Sequence, residues 1–584
     1  MFGRIIGIEN KNIRVENLSK KAEISLVNVH VVFLSGDIKS VGVITNVSEN
    51  FVDITLVGEI RGEAFFQGNV KNPTLNSKIR IITKGELQSI LGNQDYKSKH
   101  TLLIGNSLMY NGFKVTVDKN NFFSSHFAVL GNTGSGKSCG MTRILQNVFD
   151  NDFEPINSHI VIFDAFNDYE SAFSKLNSTS NLHYKNINCD YTARIEVNNI
   201  KIPPYFLDVD DLAILLDVNT PDLIPIIEST LRLVYIFTSN DSNVVKYQNS
   251  IIASSLLDIL SSGKTATQIR DQIIAVLSKF NTANLNLDAT ISQPGYDRTF
   301  RQCLLIDNQG KINAMNLVVD FLTSFLDTSM DNVDIVPGFV YTLDDVYNAL
   351  EFSLINEGIL SSNDAHFEKL NSLRVRLRSI LNSDLRKIFE VNKVITKENF
   401  VEDFFKSDGE KAQIVSVNFG DLDERTIKTL TKILCKIFFE YTTKLLDRGS
   451  FPIHVIIEEA HRYVQNDADL SVLGYNIFER ITKEGRKYGI FLGLITQSPV
   501  ELSRTVLSQC GNYIVFKMYH PEDISIVKSL STHITDDIED KIKTLHPGTA
   551  LCFGNSFKMP LFAQFDLPNP MPASSNVKVT EVWY

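Results

Sequence analysis

A glycine-rich loop constrains the fold of this chain more than any other sequence feature. The sequence FAVLGNTGSGKS spans residues 127–138 and combines four apolar residues with the spacing Gly-x4-Gly-Lys-Ser. Glycines at these two positions let the backbone curl so that successive N–H groups face one phosphate group. The following residues, 139–149, are compatible with a helix, which would point the positive end of its dipole at the same anion. We therefore predict a nucleotide phosphate site between a strand and a helix.

The residues of this loop have distinct expected roles. The Lys137 ammonium group would reach the β- and γ-phosphate oxygens, and the Ser138 hydroxyl would ligate Mg²⁺. The predicted nucleotide-binding residues are Gly131, Asn132, Thr133, Gly134, Ser135, Gly136, Lys137 and Ser138.

Two carboxylates follow another apolar run. The sequence VIIEEAH places Glu458 and Glu459 at the end of a predicted strand, and the carboxyl ends of parallel strands form the ligand-binding edge of an α/β sheet. In enzymes with this phosphate-binding loop, the first acid positions Mg²⁺, usually through water, and the second polarises the attacking water. We predict that Glu458 belongs to the metal site and that Glu459 is the general base.

Further candidates surround the apolar run 490–495. This run ends in Thr496 and Gln497, and a polar side chain at that strand end can contact both the γ-phosphate and the attacking water. The segment ahead of it contains Arg480 and Arg486. Either arginine could neutralise charge on the phosphate of a neighbouring subunit; the alternative is an ordinary solvated helix face.

Composition places the chain among folded proteins of a reducing compartment. Its 584 residues are 43% hydrophobic and 21% charged, as in ordinary globular proteins. The six cysteines are scattered without a Cys-x-x-Cys pair, which argues against a zinc site or a disulfide framework. The N-terminus lacks a sustained apolar run, and no segment approaches the ~18 apolar residues of a membrane span. We expect a cytoplasmic protein without a membrane partner.

The order of apolar patterns predicts an α/β fold with three further parts. Residues 1–95 contain short β-rich runs, the last of which is KIRIITKG at 78–85, and these runs suggest a small antiparallel barrel. Residues 101–168 and 405–567 alternate strands with helices, which predicts a mostly parallel sheet with helices on both faces. Residues 169–404 are a largely helical insertion, and 568–584 form an extended C-terminal tail.

The predicted sheet draws its strands from both parts of the split region. The predicted strands are 159–164, 413–420, 453–459, 490–497, 513–518 and 549–554. A helix is predicted over 424–446, because one helical face collects the apolar residues Ile427, Leu430, Leu434, Ile437, Phe438 and Tyr441.

Taken together, these motifs resemble a known family. The sequences HFAVLGNTGSGKS, VIFDAFNDYE, VIIEEAHRYV, ITKEGRKYG, LGLITQSP and LSQCGNYIVFKM are similar to those of the HerA branch of the FtsK/HerA family of ring-forming, DNA-pumping ATPases. The resemblance covers nearly the whole chain. It implies a RecA-like P-loop core, an N-terminal barrel like the HAS barrel (named for HerA and ATP synthase), and the cofactors ATP and Mg²⁺.

The resemblance also implies an assembly. Members of the family place ATP between subunits, so we expect a homohexamer with DNA in its central pore. Lys137 and Ser138 would then act with Glu459 and Gln497 of the same subunit. Arg480 or Arg486 would come from the next subunit. Sequence does not show which residues line the pore; the basic stretch with Arg374, Arg376, Arg378, Arg386 and Lys387 is one candidate and a solvated helix face is the alternative.

One motif departs from the family pattern. Family members commonly carry Asp-x-His-Gly-Glu-Tyr after the second strand, and this chain has Asp164-Ala165-Phe166-Asn167-Asp168-Tyr169. The histidine and the glycine are replaced, which suggests a divergent lineage. The first acid of the 458–459 pair is also Glu where Asp is commoner.

Three classes of function fit the resemblance. The first is a DNA translocase that works with a nuclease in end processing. The second is an ATPase ring that assembles and activates a defence effector, such as a sirtuin-type NADase or a nuclease, against phage; the effector would dock on the N-terminal barrel. A secretion or packaging ATPase is the third. The net charge of −11 does not favour general nucleic-acid coating, but a ring needs positive charge only along its pore.

Overall fold

The computed structural model divides into two compact units. It describes residues 2–18, 26–35, 38–150, 155–174, 182–189, 199–293, 295–327, 338–360, 364–407, 409–420, 422–573, 580 and 583. The first unit comprises Met1–Asp190, Lys397–Asp467 and Asn476–Tyr584, and the second comprises Tyr191–Thr396 and Ala468–Tyr475. Within the described residues, no helix combines the length and the apolar character that crossing a membrane requires.

The chain begins with a seven-stranded antiparallel sheet. Its strands are β1 (Phe2–Glu9), β2 (Asn12–Asn17), β3 (His30–Ser35), β4 (Ile38–Val47), β5 (Phe51–Arg61), β6 (Ala64–Gln67) and β7 (Lys78–Ile81). They pair in the order β1-β2-β5-β4-β3-β7, and β6 pairs with β5. Along β5, alternate residues such as Val52, Ile54 and Leu56 are buried, as expected for strands with one face on a core.

This sheet is curled around one apolar core. Ile5 of β1, Val15 of β2 and Phe33 of β3 belong to the same buried cluster, and Ile79 of β7 packs against it. Strands from both ends of the sheet therefore meet at one core. Among the described residues no pairing joins β1 to β7, so the predicted barrel is supported as a curled sheet and not as a closed cylinder.

A helix replaces the end of the last predicted N-terminal strand. The helix α1 (Lys84–Leu91) begins three residues after β7 ends. The Thr83 side chain accepts a hydrogen bond from the Glu86 backbone N–H, and the Glu86 side chain accepts one from the Thr83 backbone. This capping box satisfies two backbone donors at the helix start, which explains why the β-rich run 78–85 does not continue as a strand.

A second, larger sheet starts directly afterwards. The next elements are β8 (Thr101–Ser107), β9 (Lys114–Asp118), α2 (Lys119–Phe123), β10 (Phe127–Leu130), α3 (Lys137–Phe149), β11 (His159–Asp164), α4 (Glu170–Phe173) and β12 (Tyr184–Asn188). The predicted strand 159–164 is confirmed as β11.

The second unit is mainly helical. Its elements within the insertion are α5 (Val209–Leu215), α6 (Ile224–Thr238), α7 (Ser242–Ser261), α8 (Ala266–Lys279), β13 (Thr290–Gln293), β14 (Tyr296–Thr299), α9 (Phe300–Cys303), α10 (Met315–Thr323), α11 (Leu343–Leu360), α12 (Asp364–Leu381) and α13 (Leu385–Phe389). Its core is apolar, with Ile252, Leu256, Ile273 and Phe352 fully buried in one cluster.

The chain then completes the large sheet. The remaining elements are α14 (Lys397–Phe404), β15 (Lys406–Ser407), β16 (Glu410–Lys411), β17 (Ile414–Asn418), α15 (Glu424–Lys444), β18 (Ile453–Ile457), α16 (Asp469–Val472), α17 (Ile477–Glu484), β19 (Ile490–Thr496), α18 (Arg504–Ser508), β20 (Asn512–Phe516), α19 (Pro521–Leu530), α20 (Asp536–Thr544), β21 (Thr549–Gly554) and β22 (Leu561–Gln564). All six apolar residues of the predicted helical face of α15 are buried, which confirms that prediction.

The large sheet has eleven strands in the order β12-β17-β11-β18-β19-β10-β20-β21-β22-β8-β9. The pairs from β12 to β20 are parallel, and those from β20 to β9 are antiparallel. The molecule is therefore a mixed α/β protein. Because seven neighbouring strands are parallel, their carboxyl ends lie at one edge, which is where such sheets bind ligands.

After β22 the chain returns toward this edge. Residues 569–573, here named the C-terminal strap, are hydrogen-bonded to α3 and to the segment after β11. The Gln146 side chain donates to Pro570 O and accepts from Asn569 N, both at 2.9 Å. The Ser171 hydroxyl donates to Met571 O, and Ala573 N–H donates to Asp168 O at 2.8 Å. The predicted tail beyond 573 lies outside the described residues except for 580 and 583.

Candidate active site

The strand order brings the predicted motifs together at one sheet edge. Strand β19 lies between β18 and β10, so Gln497 is placed between the 458–459 acids and the glycine-rich loop. Two backbone hydrogen bonds fix the start of that loop. Gly131 N–H donates to Thr496 O at 3.2 Å, and Asn132 N–H donates to Lys517 O at 2.9 Å.

The loop has a shape that glycine alone fits well. Gly136 has φ 104°, in the left-handed region that side chains with a Cβ rarely adopt. A Cβ at Gly136 would lie 2.9 Å from Gly548 N, and one at Gly131 would lie 2.7 Å from the Phe516 Cβ. Neighbouring backbone therefore closes around both positions, which agrees with the sequence argument for the two glycines.

Several backbone N–H groups of the loop donate no hydrogen bond. In this fully described part of the chain, no hydrogen bond is donated by the backbone N–H groups of Thr133, Gly134, Gly136, Lys137 or Ser138. The Lys137 ammonium group is buried and donates to Asn132 O at 3.1 Å. Burial lowers its pKa, and the carboxylates of Glu459 and Glu458 act against that shift. A loop of free N–H groups with a buried cation fits a phosphate anion.

The serine of the loop and the first acid of the pair are in direct contact. The Ser138 hydroxyl donates to Glu458 Oε1 at 2.6 Å. The end of β18 holds the acid in place, since Glu458 N–H donates to Phe163 O of β11. Two oxygen ligands of the kind that Mg²⁺ prefers thus converge. Among the described residues no group of three or more His, Cys, Asp or Glu side chains could hold a metal by itself, so phosphate oxygens and water would complete such a site.

Glu458 lies in an environment that disfavours its charge. Burial raises the pKa of Glu458 to about 8, and the nearby carboxylates of Asp164, Asp168 and Glu459 act in the same direction. The hydrogen bond from Ser138 opposes the shift. A divalent cation would offset this accumulation of negative charge.

Glu459 adopts a strained backbone conformation. Its φ is 48°, in the left-handed region, where a residue with a side chain costs about 1–3 kcal/mol when the surroundings hold it there. A 3-10 turn, Ala460–Arg462, follows immediately, and Arg462 N–H donates to Glu459 O at 2.9 Å. Such strain clusters at functional sites. After the strand, the two consecutive acids therefore have different neighbours: Glu458 contacts Ser138, whereas Glu459 lies beside His461.

The second acid contacts a histidine. Glu459 Oε2 lies 3.3 Å from His461 Nδ1, and the same nitrogen is 3.1 Å from Thr496 Oγ1. On the other side of the strand end, the Thr133 hydroxyl donates to Gln497 Oε1 at 2.6 Å. Gln497 is therefore in contact with the phosphate-binding loop, as its predicted role requires.

A cavity of about 290 Å³ adjoins these residues. Glu459, His461, Arg462 and Gln497 line it together with Phe166, and its remaining lining residues are Glu424, Gln465 and Glu501. The guanidinium group of Arg462 is held by Glu424, with Nε 3.1 Å from Oε1. The cavity gives the proposed base and sensor a common space that water can enter.

The two predicted arginines lie elsewhere. Arg486 is exposed in the turn Gly485–Lys487, which precedes β19, whereas Gln497 follows β19. The strand between them spans about 20 Å. Arg480 lies in α17, is also exposed, and its guanidinium carbon is 5.2 Å from the centre of the Phe439 ring. The structure brings the other predicted site residues together but places Arg486 at the opposite sheet edge.

The divergent segment after β11 keeps an ordered turn. The Asp164 carboxylate accepts hydrogen bonds from the backbone N–H groups of Phe166, Asp168 and Tyr169. Asn167 has φ 56°, and it stands where the family pattern has glycine. Because asparagine tolerates this conformation better than other residues with a side chain, the replacement preserves the turn. Phe166 stands at the histidine position and lines the cavity.

Two residues at this edge are not among the predicted site residues. The first is His461, for which the visible signal is a histidine two positions after the predicted base. Asp168 is half-buried, and burial, with Asp164 and Glu459 nearby, raises its pKa to about 6. Asp168 follows β11 and Glu459 follows β18. Only the pairing of these two strands shows that the two acids are neighbours.

The basic stretch of the second unit is largely engaged within that unit. Arg376 donates to the carbonyl oxygens of Leu216 and Asp217. Arg386 pairs with Asp344 and Glu390, and Lys387 pairs with Asp384. These contacts favour a structural role for the stretch over a DNA-binding one.

The chain is similar to several known proteins. The family model DUF87, described as "Helicase HerA, central domain", matches residues 102–438. The DNA double-strand break repair helicase HerA of Pyrococcus furiosus is 25% identical over 548 residues, which cover 88% of this chain and 81% of that protein. HerA of Sulfurisphaera tokodaii is 26% identical over 436 residues, covering 67% of this chain and 84% of that one.

Among solved structures, the plasmid coupling protein TrwB with the GTP analogue GDPNP aligns with a TM-score of 0.45 and 13% identity, over 88% of this chain and 99% of that one. The family model covers more than half of the chain and contains the phosphate-binding loop. The chain belongs to the HerA helicase family of the FtsK/HerA superfamily, and it is an ATPase of the DNA translocase or helicase type.

Proposed function

We propose that this chain is the subunit of a homohexameric ring that hydrolyses ATP and uses the energy to move DNA. The observation that carries the proposal is the convergence of the loop after β10, the acids after β18 and the glutamine after β19 at one edge of a parallel sheet. This arrangement supports a RecA-like core. Relatives named as DNA repair helicases, aligned over most of the chain, support DNA as the substrate of movement.

The contacts suggest a role for each residue. The free N–H groups of the loop and the Lys137 ammonium group would bind the β- and γ-phosphates. Ser138 and Glu458, already 2.6 Å apart, would hold Mg²⁺, which when bound neutralises charge on the phosphate oxygens. Glu459 would accept the proton of the attacking water in the adjoining cavity. Gln497 would orient that water against the γ-phosphate.

Arginine would complete the site from outside the subunit. Arg480 and Arg486 are both exposed, and Arg486 is at the sheet edge away from its own phosphate-binding loop. An exposed arginine on one subunit can stabilise negative charge in the site of the next, which in related enzymes is worth about 10³-fold or more in rate. This geometry favours a ring with nucleotide between subunits.

A partner protein would direct the motor to its task. We propose that a nuclease or a defence effector docks on the curled N-terminal sheet, because this region lacks the phosphate-binding loop and the acid pair. The task would be DNA end processing or defence against phage. Translocation predicts that DNA stimulates ATP turnover and that salt weakens the effect, since phosphate contacts release counterions. Stimulation by a partner protein alone would instead indicate a scaffold.

The substitution Glu459→Gln tests the central assignment. It removes the proton acceptor while preserving size, and we expect ATP turnover to fall at least about 100-fold, the lower end of general-base contributions. Nucleotide binding, measured with a fluorescent ATP analogue, and the assembly state, measured by light scattering, should remain. The exposed Glu522 of α19 gives the matched control Glu522→Gln, which should behave as wild type. Turnover within twofold of wild type in Glu459→Gln would overturn the assignment.

A further inference from the structure

We propose that His461 is a positioning residue that holds the Glu459 carboxylate and links it to the end of β19. The proposal rests on the proposed function, in that Glu459 is taken as the general base. Its own observation is the pair of contacts made by His461 Nδ1, at 3.3 Å from Glu459 Oε2 and 3.1 Å from Thr496 Oγ1.

Burial makes these contacts well defined. His461 is 9% exposed and Thr496 is fully buried. The imidazole lies in the 3-10 turn that begins right after Glu459, so the backbone fixes its distance from the acid.

The nearby Glu459 carboxylate favours one tautomer of His461, whereas the Thr496 hydroxyl can donate to an unprotonated Nδ1 or accept from a protonated one. Thr496 Oγ1 accepts a hydrogen bond from Ser498 N–H at 3.1 Å. If His461 Nδ1 carried no proton, its lone pair would face the Glu459 carboxylate, which is repulsive. A proton on Nδ1 instead forms the hydrogen bond with Thr496 Oγ1 and makes an attractive electrostatic contact with Glu459 Oε2, which is buried and accepts no hydrogen bond in the structure. This contact favours one orientation of the carboxylate and leaves Oε1 able to accept a proton.

Thr496 connects this pair to the nucleotide loop. Its carbonyl oxygen accepts the Gly131 N–H at 3.2 Å, and the next residue, Gln497, accepts a hydrogen bond from Thr133. His461 therefore joins the proposed base to the strand end that carries the proposed sensor and anchors the loop. A base that is oriented by a third group is a common catalytic arrangement, and here the third group also contacts the sensor strand.

The test compares substitutions that keep or remove a donor at the Nδ1 position. Asparagine places an amide nitrogen near Nδ1, whereas the longer glutamine places it near Nε2, and phenylalanine keeps the ring without any donor. We expect His461→Phe and His461→Gln to lower kcat for ATP at least tenfold with KM within twofold of wild type. His461→Asn should recover at least half of the lost rate on a logarithmic scale.

A matched control exists on the surface. His520 Nδ1 lies 3.9 Å from Asp523 Oδ2, which is another histidine beside a carboxylate but outside the site. His520→Phe should leave kcat and KM unchanged. Thermal unfolding midpoints of all variants show whether any loss of rate follows a loss of fold.

Three outcomes would overturn the positioning role. These are an unchanged kcat in His461→Phe, a loss of rate that tracks the unfolding midpoint, or equal rates in His461→Asn and His461→Gln. The double variant Glu459→Gln with His461→Gln separates this proposal from the proposed function. If Glu459 is the base, the double variant is no slower than Glu459→Gln alone. If Glu459→Gln retains turnover, the base assignment fails, and the His461 series still reports whether that histidine affects kcat.

Discussion

Charged side chains are used in opposite ways at the carboxyl edge of the large sheet and on the helices of the second unit. At the sheet edge, the carboxyl groups of Glu458 and Glu459 lie near the buried Lys137. Asp164 and Asp168 add further negative charge beside Glu458, and burial raises the pKa of Glu458 to about 8. On the helices, opposite charges pair at the surface, as Arg386 does with Asp344 and Glu390.

The difference shows what each region is built for. Exposed ion pairs contribute little and are easily replaced, so they fit a region whose helices are held by an apolar core. Like charges buried together are unfavourable unless a cation neutralises them. The sheet edge therefore carries an excess of buried negative charge that a bound metal ion would neutralise.

The largest effect is expected from the loss of Lys137, the buried cation at the carboxyl edge of the large sheet. Lys137→Ala leaves the neighbouring carboxylates without their buried positive partner and removes a donor to the phosphates. ATP turnover should fall more than about 100-fold, as for loss of one transition-state donor, and nucleotide binding should weaken. Steady-state ATP hydrolysis and titration with a fluorescent ATP analogue measure the two effects. Lys483→Ala, at an exposed lysine of α17 paired with Glu479, is the control.

The same variant can locate the arginine. If the chain forms the proposed ring, mixing Lys137→Ala subunits with Arg486→Ala subunits gives some interfaces that have both an intact loop and an intact arginine. If Arg486 acts across the interface, the mixture recovers turnover that neither variant has alone. An Arg486→Ala ring with wild-type turnover would exclude that residue and leave Arg480 as the candidate.

An intermediate effect is expected from substitution of Asp168, one of the acids at the carboxyl edge of the large sheet. Burial and the carboxylates of Asp164 and Glu459 raise the pKa of Asp168 from 3.8 to about 6. The folded state thus binds this proton more tightly than the unfolded state, and its contribution to stability falls as pH rises from about 4 to about 6. Without nucleotide and metal, Asp168→Asn should unfold at a higher temperature than wild type at pH 7.5, with a smaller difference at pH 5.

Differential scanning calorimetry at the two pH values measures this change. The exposed Asp95 supplies the surface control Asp95→Asn, measured at the same two pH values. A difference for Asp168→Asn that does not change with pH would mean that the edge does not strain this carboxyl group.

The smallest effect is expected in the second unit. Arg386→Ala removes two surface ion pairs, and the free energy of unfolding should change by less than about 1 kcal/mol. ATP turnover and its stimulation by DNA should stay unchanged. Urea unfolding and DNA-stimulated ATP hydrolysis check both points, and a loss of DNA stimulation would restore the pore-lining interpretation of this basic stretch.

Much of the sheet edge was predictable because its motifs are local. Gly131, Gly136, Lys137 and Ser138 are fixed by a spacing that has one mechanical purpose, and the acids after β18 follow an apolar run that can only be a buried strand. The order β18-β19-β10 was not predictable, because it depends on which strands pair across more than three hundred residues of chain. Without that order, the contact between Thr133 and Gln497 could not be foreseen.

Other features depended on side-chain geometry that patterns do not encode. The role of His461 follows from a 3-10 turn and from the left-handed backbone of Glu459. The apolar pattern of the β-rich run 78–85 predicts a single strand. Thr83, which lies within this run, instead caps a helix together with Glu86. In both cases the local backbone conformation, which a pattern of apolar residues does not encode, decides where the side chains lie.

The C-terminal strap has a consequence for how opening of the site can be observed. The amide hydrogens of Asn569 and Ala573 are held by Gln146 of α3 and by the carbonyl of Asp168. Each amide exchanges with solvent deuterium only when its own hydrogen bond opens. The exchange rates at these two positions therefore report separately on the helix that follows the phosphate-binding loop and on the turn that carries Asp168, in an unlabelled and unmodified chain.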